Sequence, residues 1–208
     1  MTGDPLTFDL YHPQPLLLII SGPSAVGKDA VLNGLKAHNL PIYFVVTATT
    51  RKRRETEREG VDYFFVSLEK FKELIDKDEL LEYATVYQDF KGVPKWQIRQ
   101  ALRSGKDVVL RLDVQGAGKI KTLYPEAVLI FLLPENEEIW LRHFKKRNTE
   151  TDEDLKLRIK TARLELACID LFDYMVVNPE GKLDETVATI EAIIHAEHHL
   201  VQHKKVSL

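Results

Sequence analysis

Cysteine occurs once in the 208 residues, at Cys168, which excludes an internal disulfide framework and a cysteine-built metal cluster. That lone thiol lies in the apolar stretch 164–171, where buried packing is expected rather than redox chemistry. No apolar run reaches the length of a membrane-spanning helix, and the N-terminus lacks the pattern of a secretory signal. Neither sign of charge dominates. The 29 Lys and Arg face 32 Asp and Glu, a net charge of −3, so nothing draws the whole chain to nucleic acid or to an anionic membrane. Internal repeats and low-complexity tracts are also missing. The expectation is a cytoplasmic chain forming one globular domain, with room for a subdomain or a lid. No oligomeric state follows from the sequence.

What is present begins with residues 16–29, LLLIISGPSAVGKD. The unbroken apolar run reads as a strand buried on both faces, as in a parallel sheet. It enters Gly22-x-x-x-x-Gly27-Lys28 and then a helix-compatible segment, the strand–loop–helix context that a P-loop requires. Backbone N–H groups of such a loop, with those at the helix start, cradle phosphates. Gly22, Pro23, Ser24, Ala25, Val26, Gly27 and Lys28 are therefore the expected ATP cradle, with Lys28 reaching the β- and γ-phosphates. The next residue is ordinarily Ser or Thr, whose hydroxyl binds Mg²⁺. Here it is Asp29, still a hard oxygen donor but an added negative charge beside phosphates.

Further along, strands are predicted over 42–46, 62–66, 80–87, 107–114, 127–132 and 174–177. Helices are predicted after Ser67, from Pro94 to near Gly105, over 135–147, from about Asp152, and over 183–201. Alternating strands and helices mean an α/β fold around a parallel sheet. Residues 1–15, with three prolines, read as an irregular lead-in. The β-rich stretch near 60–90 reads as an insertion. His195, His199 and His203 recur at helical spacing, which fits a hydrated helix face better than a metal site.

Several ordered segments carry a family resemblance. Thr49-Thr50-Arg51-x-x-Arg54-x-x-Glu57-x-x-Gly60-Val61-Asp62-Tyr63-x-Phe65 resembles the acceptor-binding segment of guanylate kinases. So do Leu81-Glu82, Asp113-Val114-Gln115-Gly116, Arg147-Asn148-Thr149-Glu150, Arg158-x-x-x-Ala162-x-x-Glu165 and Val177-Asn178. The resemblance covers about residues 16–195. It implies a P-loop NTP hydrolase-like parallel sheet flanked by helices, with a small inserted β-rich GMP-binding subdomain and a helical lid. The core would be 16–46 and 95–208, the subdomain about 47–94, and the lid about 145–158. The implied reaction is reversible transfer of the γ-phosphoryl group of ATP to GMP, with Mg²⁺ accompanying ATP and no nucleic-acid or membrane partner.

The residue chemistry suits that reaction. An acceptor phosphate must sit against the negative γ-phosphate, so fixed cations are needed. Arg51 and Arg54 share one loop, and arginine grips phosphate through paired N–H bonds. On residue types alone, 51–54 reads equally well as a solvated basic loop. By resemblance, Tyr63 adds a hydroxyl to the acceptor phosphate, and Glu82 and Thr47 read guanine. A carboxylate can accept both guanine N1–H and N2–H, a donor pair that adenine lacks. Arg147 and Arg158 match family arginines that close over the transferring group, Asn178 matches a contact on the adenine side of ATP, and Asp113 lies near Mg²⁺.

Three departures stand against the pattern. Lys91-Gly92-Val93 replaces Tyr-Gly-Ser/Thr, leaving Lys91 to serve the acceptor phosphate and losing a base-reading hydroxyl at Val93. Arg111 stands where the family has an acid, on the same strand face as Asp113. Asp29 and Arg111 are predicted to be one exchange, the acid moving to the loop and pairing with a cation on the strand. Two rival readings follow: a kinase of the same architecture with another acceptor, and a catalytically silent guanylate-kinase-like binding module.

Overall fold

The computed structural model describes residues 11–86, 88–145 and 152–201. In chain order it contains β1 (Leu17–Ser21), α1 (Lys28–Ala37), β2 (Ile42–Phe44), β3 (Ala48–Thr49), β4 (Phe64–Phe65), α2 (Leu68–Asp76), β5 (Leu80–Val86) and β6 (Asp89–Pro94). There follow α3 (Lys95–Arg103), β7 (Asp107–Arg111), α4 (Val114–Leu123), β8 (Val128–Pro134), α5 (Glu137–Lys145), α6 (Asp152–Leu166), a 3₁₀ turn (Ile169–Leu171), β9 (Tyr174–Asn178) and α7 (Leu183–His198).

Five strands form one parallel sheet in the order β2-β7-β1-β8-β9. β1 is buried throughout, because both of its faces are covered. Its alternating side chains divide the core in two. Leu18 and Ile20 pack with Val31 and Leu35 of α1 and with Val187, Ile190 and Ile194 of α7. Leu17 and Ile19 pack on the other face with Ile98 and Ala101 of α3 and Ala117 and Ile120 of α4. The end of α7 is pinned to this frame: buried Asp107 accepts from the Leu16 N–H at 2.9 Å and lies 2.9 Å from His198 Nε2. No helix among the described residues is long and apolar enough to cross a membrane.

A second sheet, β4-β3-β6-β5, has its own small core of Ala48, Phe71 and Leu80. It is continuous with the main core through Val93, fully buried among Leu17, Ile19 and Ile98. The sequence expectation of an inserted β-rich segment thus corresponds to a separate mixed sheet. α2 starts where expected, with the Ser67 hydroxyl accepting from the Lys70 N–H at 3.1 Å. Gly105, at φ 66, follows α3 as a left-handed stop.

Some expectations need correction. The strand predicted over 107–114 ends at Arg111, because Asp113 instead caps α4, accepting from the Gly116 N–H at 2.8 Å. The strands predicted over 42–46 and 62–66 shorten to three and two residues. The stretch around Cys168 is not a buried one: Leu164, Leu166 and Leu171 are all exposed, and the thiol is half-buried against the Leu164 carbonyl. Of the three histidines, His195 and His199 stack with centroids 4.5 Å apart, while His203 lies outside the described residues.

Candidate active site

The P-loop lies at the C-terminal end of β1 and leads into α1. Its shape depends on positive φ angles at Gly22 (133°), Ala25 (66°) and Gly27 (96°). A side chain at Gly22 would strike the Leu132 carbonyl, and one at Gly27 would meet Asn178 Nδ2 at 2.5 Å. Ala25 carries a left-handed strain of about 1–2 kcal/mol. Its methyl packs with Trp140 and Ala162, which offsets part of that cost.

Three distant elements brace the loop. Trp140 of α5 donates its indole N–H to the Ser24 carbonyl at 2.8 Å. Arg158 of α6 donates to the Ser24 hydroxyl at 3.1 Å. Asn178, at the end of β9, donates to the Val26 carbonyl at 2.8 Å and accepts from the Thr186 hydroxyl at 2.9 Å. Arg158 therefore reaches the loop, and Asn178 lies against the loop backbone. Trp140 was not legible in the sequence, because nothing local links it to a loop 116 positions earlier. Arg147 lies outside the described residues.

Lys28 turns back over the loop, donating to the carbonyls of Gly22 at 2.5 Å and Pro23 at 2.9 Å. Burial lowers its pKa, and Arg111 and Lys91 add to the effect, while Glu165 works the other way. Glu165 is itself pushed up, chiefly by burial. Glu165 belongs to the family-like Arg158–Glu165 segment, whose spacing alone gives it no role. Its place as the counter-charge to Lys28 emerges only when α6 folds over the loop.

The Asp29 carboxylate and the Arg111 guanidinium form a direct ion pair, the exchange anticipated from the two sequence departures. Asp113, on the loop following β7, spends its Oδ1 on the Gly116 N–H, leaving Oδ2.

The second sheet presents the other half of the site. Arg51 pairs with Glu57 at 2.6 Å, and the Arg54 N–H donates to the same carboxylate at 2.8 Å. Glu57 thus fixes the loop carrying both arginines, a role its spacing alone did not disclose. Tyr63 is buried nearby, with the Arg51 Cζ 5.6 Å from its ring centroid. Lys91, from β6, places its Nζ 5.6 Å from the same centroid. Burial, followed by the charge of Arg51, lowers the Lys91 pKa.

Thr47 and Glu82 are both buried. Glu82 is 7% exposed, and its Oε2 has no hydrogen-bond partner. Burial and then the nearby Asp113 charge push its pKa from 4.5 up to about 7. Gly116 leaves it room: a Cβ there would sit 3.2 Å from the carboxylate. Val93 faces Glu82 across the β5–β6 ladder, but its side chain belongs to the core.

A braced P-loop with its lysine, facing a separate basic cluster and a buried carboxylate, defines a P-loop nucleoside monophosphate kinase. The family model described as guanylate kinase matches residues 14–197, and the chain belongs to the guanylate kinase family. It is 47% identical over 197 residues to a protein named guanylate kinase 2, chloroplastic/mitochondrial, from Oryza sativa subsp. japonica, covering 94% of this chain and 69% of that protein. It is 42% identical over 196 residues to a guanylate kinase from Clostridioides difficile, covering 94% and 95%. Among solved structures it resembles guanylate kinase from Anaplasma phagocytophilum, with a TM-score of 0.76, 29% identity, and coverage of 96% of this chain and 94% of that one.

Proposed function

We propose that the protein transfers the γ-phosphoryl group of ATP to the phosphate of GMP, reversibly, giving ADP and GDP. The observation that carries the choice of GMP is Glu82, a buried carboxylate with an orphaned oxygen. Leaving such a group unpaired is costly, and the N1–H and N2–H edge of guanine supplies two donors. Adenine offers no such pair, so the same site rejects it.

The reacting atoms need little acid–base help. A GMP phosphate oxygen is already ionised at neutral pH and attacks the γ-phosphorus. A new P–O bond forms, the bond to the β-phosphate oxygen breaks, and ADP departs. The protein's task is to position the two nucleotides and to cancel charge. The P-loop N–H groups and Lys28 hold the ATP phosphates. Arg51, Arg54, Tyr63 and Lys91 hold the acceptor phosphate, and Thr47 assists Glu82 at the base. Arg158, together with Arg147, closes over the transferring group as the arginines of a lid spanning about 145–158. The acceptor subdomain is 47–94, set into a core of 16–46 and 95–208. Asn178 supports the ATP side through the loop backbone it holds.

The donor set suits Mg²⁺, which takes one or two carboxylates and fills its remaining positions with phosphate oxygens and water. Asp113 Oδ2 and the outer oxygen of Asp29 are the carboxylate donors offered. Among the described residues no cluster of three or more His, Cys, Asp and Glu side chains forms a protein-only metal cage. When bound, the ion neutralises charge on the ATP phosphates. We place the reaction in the cytoplasm, in keeping with the chain's one cysteine.

The test is ADP release with ATP–Mg²⁺ and each of GMP, dGMP, AMP, CMP and UMP. Turnover with GMP well above AMP, CMP and UMP is expected. A folded protein that turns over none of them overturns the proposal, and preference for another acceptor replaces GMP.

A further inference from the structure

Three cations from three separate elements converge on one aromatic ring. The Arg111 Cζ lies 4.7 Å from the Tyr63 ring centroid, and the Arg51 Cζ and Lys91 Nζ each lie 5.6 Å from it. Arg51 comes from the loop after β3, Lys91 from β6 and Arg111 from the end of β7. Cation–π contact is a modest attraction, and one ring does not cancel the repulsion among three positive groups.

The counter-charges are uneven. Arg51 has Glu57, and both side chains are largely buried. Arg111 has Asp29, but the Arg111 side chain is 17% exposed and that of Asp29 is 65% exposed. A mostly solvated partner contributes little, whereas withdrawing a guanidinium from water is expensive. Burial lowers the Arg111 pKa to about 10, so it still carries its charge at neutral pH. The arrangement is one that an anion among the three cations would stabilise. A phosphate dianion has the charge and the acceptor oxygens for it.

Placement fits as well. Arg111 is in register with Ile20, one residue before the end of β1. It therefore stands at the P-loop end of the sheet while facing the tyrosine of the acceptor half. We propose that Arg111 is a further phosphate-binding residue of this chain. It completes, with Arg51, Tyr63 and Lys91, a site for the acceptor phosphate, and through Asp29 it ties that phosphate to the first turn of α1. The inference rests on the reading of GMP as acceptor. It adds a residue at a position where the family resemblance expects an acid.

Calorimetric binding of GMP and of guanosine separates phosphate contact from general support of the fold. Wild type is measured first, for turnover of GMP and for its preference for GMP over guanosine. If either is missing, the GMP reading itself fails. With both present, Arg111→Met should weaken GMP about tenfold or more, the size of a lost charge-assisted hydrogen bond, and leave guanosine within about twofold. Arg111→Lys, which keeps the charge and loses the fork, should fall between wild type and the methionine variant. Thermal unfolding of each variant checks that it is folded. If the methionine variant does not fold, the lysine variant must still weaken GMP several-fold relative to guanosine. Equal weakening of GMP and guanosine, or unchanged GMP binding, overturns the role given to Arg111 and leaves GMP as acceptor.

Discussion

The carboxylate of Glu82 rests against Gly116, in the first turn of α4, where a Cβ would come within 3.2 Å of it. The glycine is set by its neighbour as much as by its helix. Gly116→Ala should gain helix propensity worth up to about 1 kcal/mol, so stability changes little. The Glu82 carboxylate must move by a few tenths of an ångström to clear the methyl. Steady-state kinetics should show a several-fold rise in KM for GMP with KM for ATP near wild type. Equal rises in both constants would mean that α4 as a whole had shifted.

Glu82 also links substrate choice to stability. Its carboxyl is pushed from 4.5 to about 7 by burial, so between those values the folded chain holds more protons than the unfolded one. Its contribution to stability therefore falls as pH rises through that window, and the full penalty applies above pH 7. Glu82→Gln should raise the Tm at pH 8 relative to wild type, by at most on the order of 3 kcal/mol in unfolding free energy, with the gain shrinking toward pH 4. The same variant should lose most of its GMP affinity. Melting curves at pH 5 and pH 8, with GMP titrations alongside, test both halves.

GMP binding should itself release protons below neutrality. The base-facing carboxylate must ionise to accept both guanine donors, and its pKa of about 7 leaves it largely protonated at pH 6. Affinity should therefore be weaker at pH 6 than at pH 8. Calorimetry at pH 6.5 in buffers of different ionisation enthalpy should show net proton release, and Glu82→Gln should reduce it to the share contributed by the phosphate of GMP, whose second pKa is about 6.

The Trp140 brace gives a test far from the chemistry. Trp140→Phe keeps most of the packing against Ala25 and Ala162 and removes the indole bond to the Ser24 carbonyl. Loss of one such bond costs about 0.5–1.5 kcal/mol. KM for ATP should rise several-fold, with KM for GMP changed less. A variant with unaltered ATP kinetics would show that Arg158 and Asn178 hold the loop without it.

Lys28 predicts the opposite proton flow at the other substrate. Burial lowers its pKa, and ATP phosphates would raise it again by supplying negative charge. ATP binding at mildly alkaline pH should take up protons. The same buffer series run at pH 8.5 should show uptake, and Lys28→Met should remove it.

Local features were legible in the sequence. The P-loop was, because strand, glycine loop and helix are contiguous and each has its own pattern. The basic loop from Arg51 to Tyr63 was legible only through its family resemblance, because its residue types alone read equally well as a solvated loop. The pairing of Asp29 with Arg111 was accessible because two substitutions of opposite sign fell on elements that a parallel sheet brings together. Contacts between remote segments left no such trace. Trp140 reads as one apolar position of an amphipathic helix, and only the fold turns its N–H toward Ser24. α4 was missed, since Leu112 and Val114 continue the apolar run across Asp113, and its cap and first residue read as the end of the preceding strand. The apolar residues around Cys168 resembled a core segment, yet the outer faces of α6 and the 3₁₀ turn leave several of them in solvent. The convergence of Arg51, Lys91 and Arg111 on Tyr63 required the relative placement of two sheets, which no periodicity encodes.

The bond from Asn178 to the Val26 carbonyl spans 152 positions, and it sets a direction in time as well as in space. A nascent chain emerges from its N-terminus, so the P-loop leaves the ribosome long before β9 and the Thr186 hydroxyl that orients Asn178. Until they arrive, the loop lacks one of its three supports and β8 lacks its outer neighbour in the sheet. The full set of contacts around the loop is therefore completed late in synthesis. A chain interrupted before Asn178 would display the phosphate-loop sequence in full and still lack this support, along with the share of the core that Val187, Ile190 and Ile194 supply.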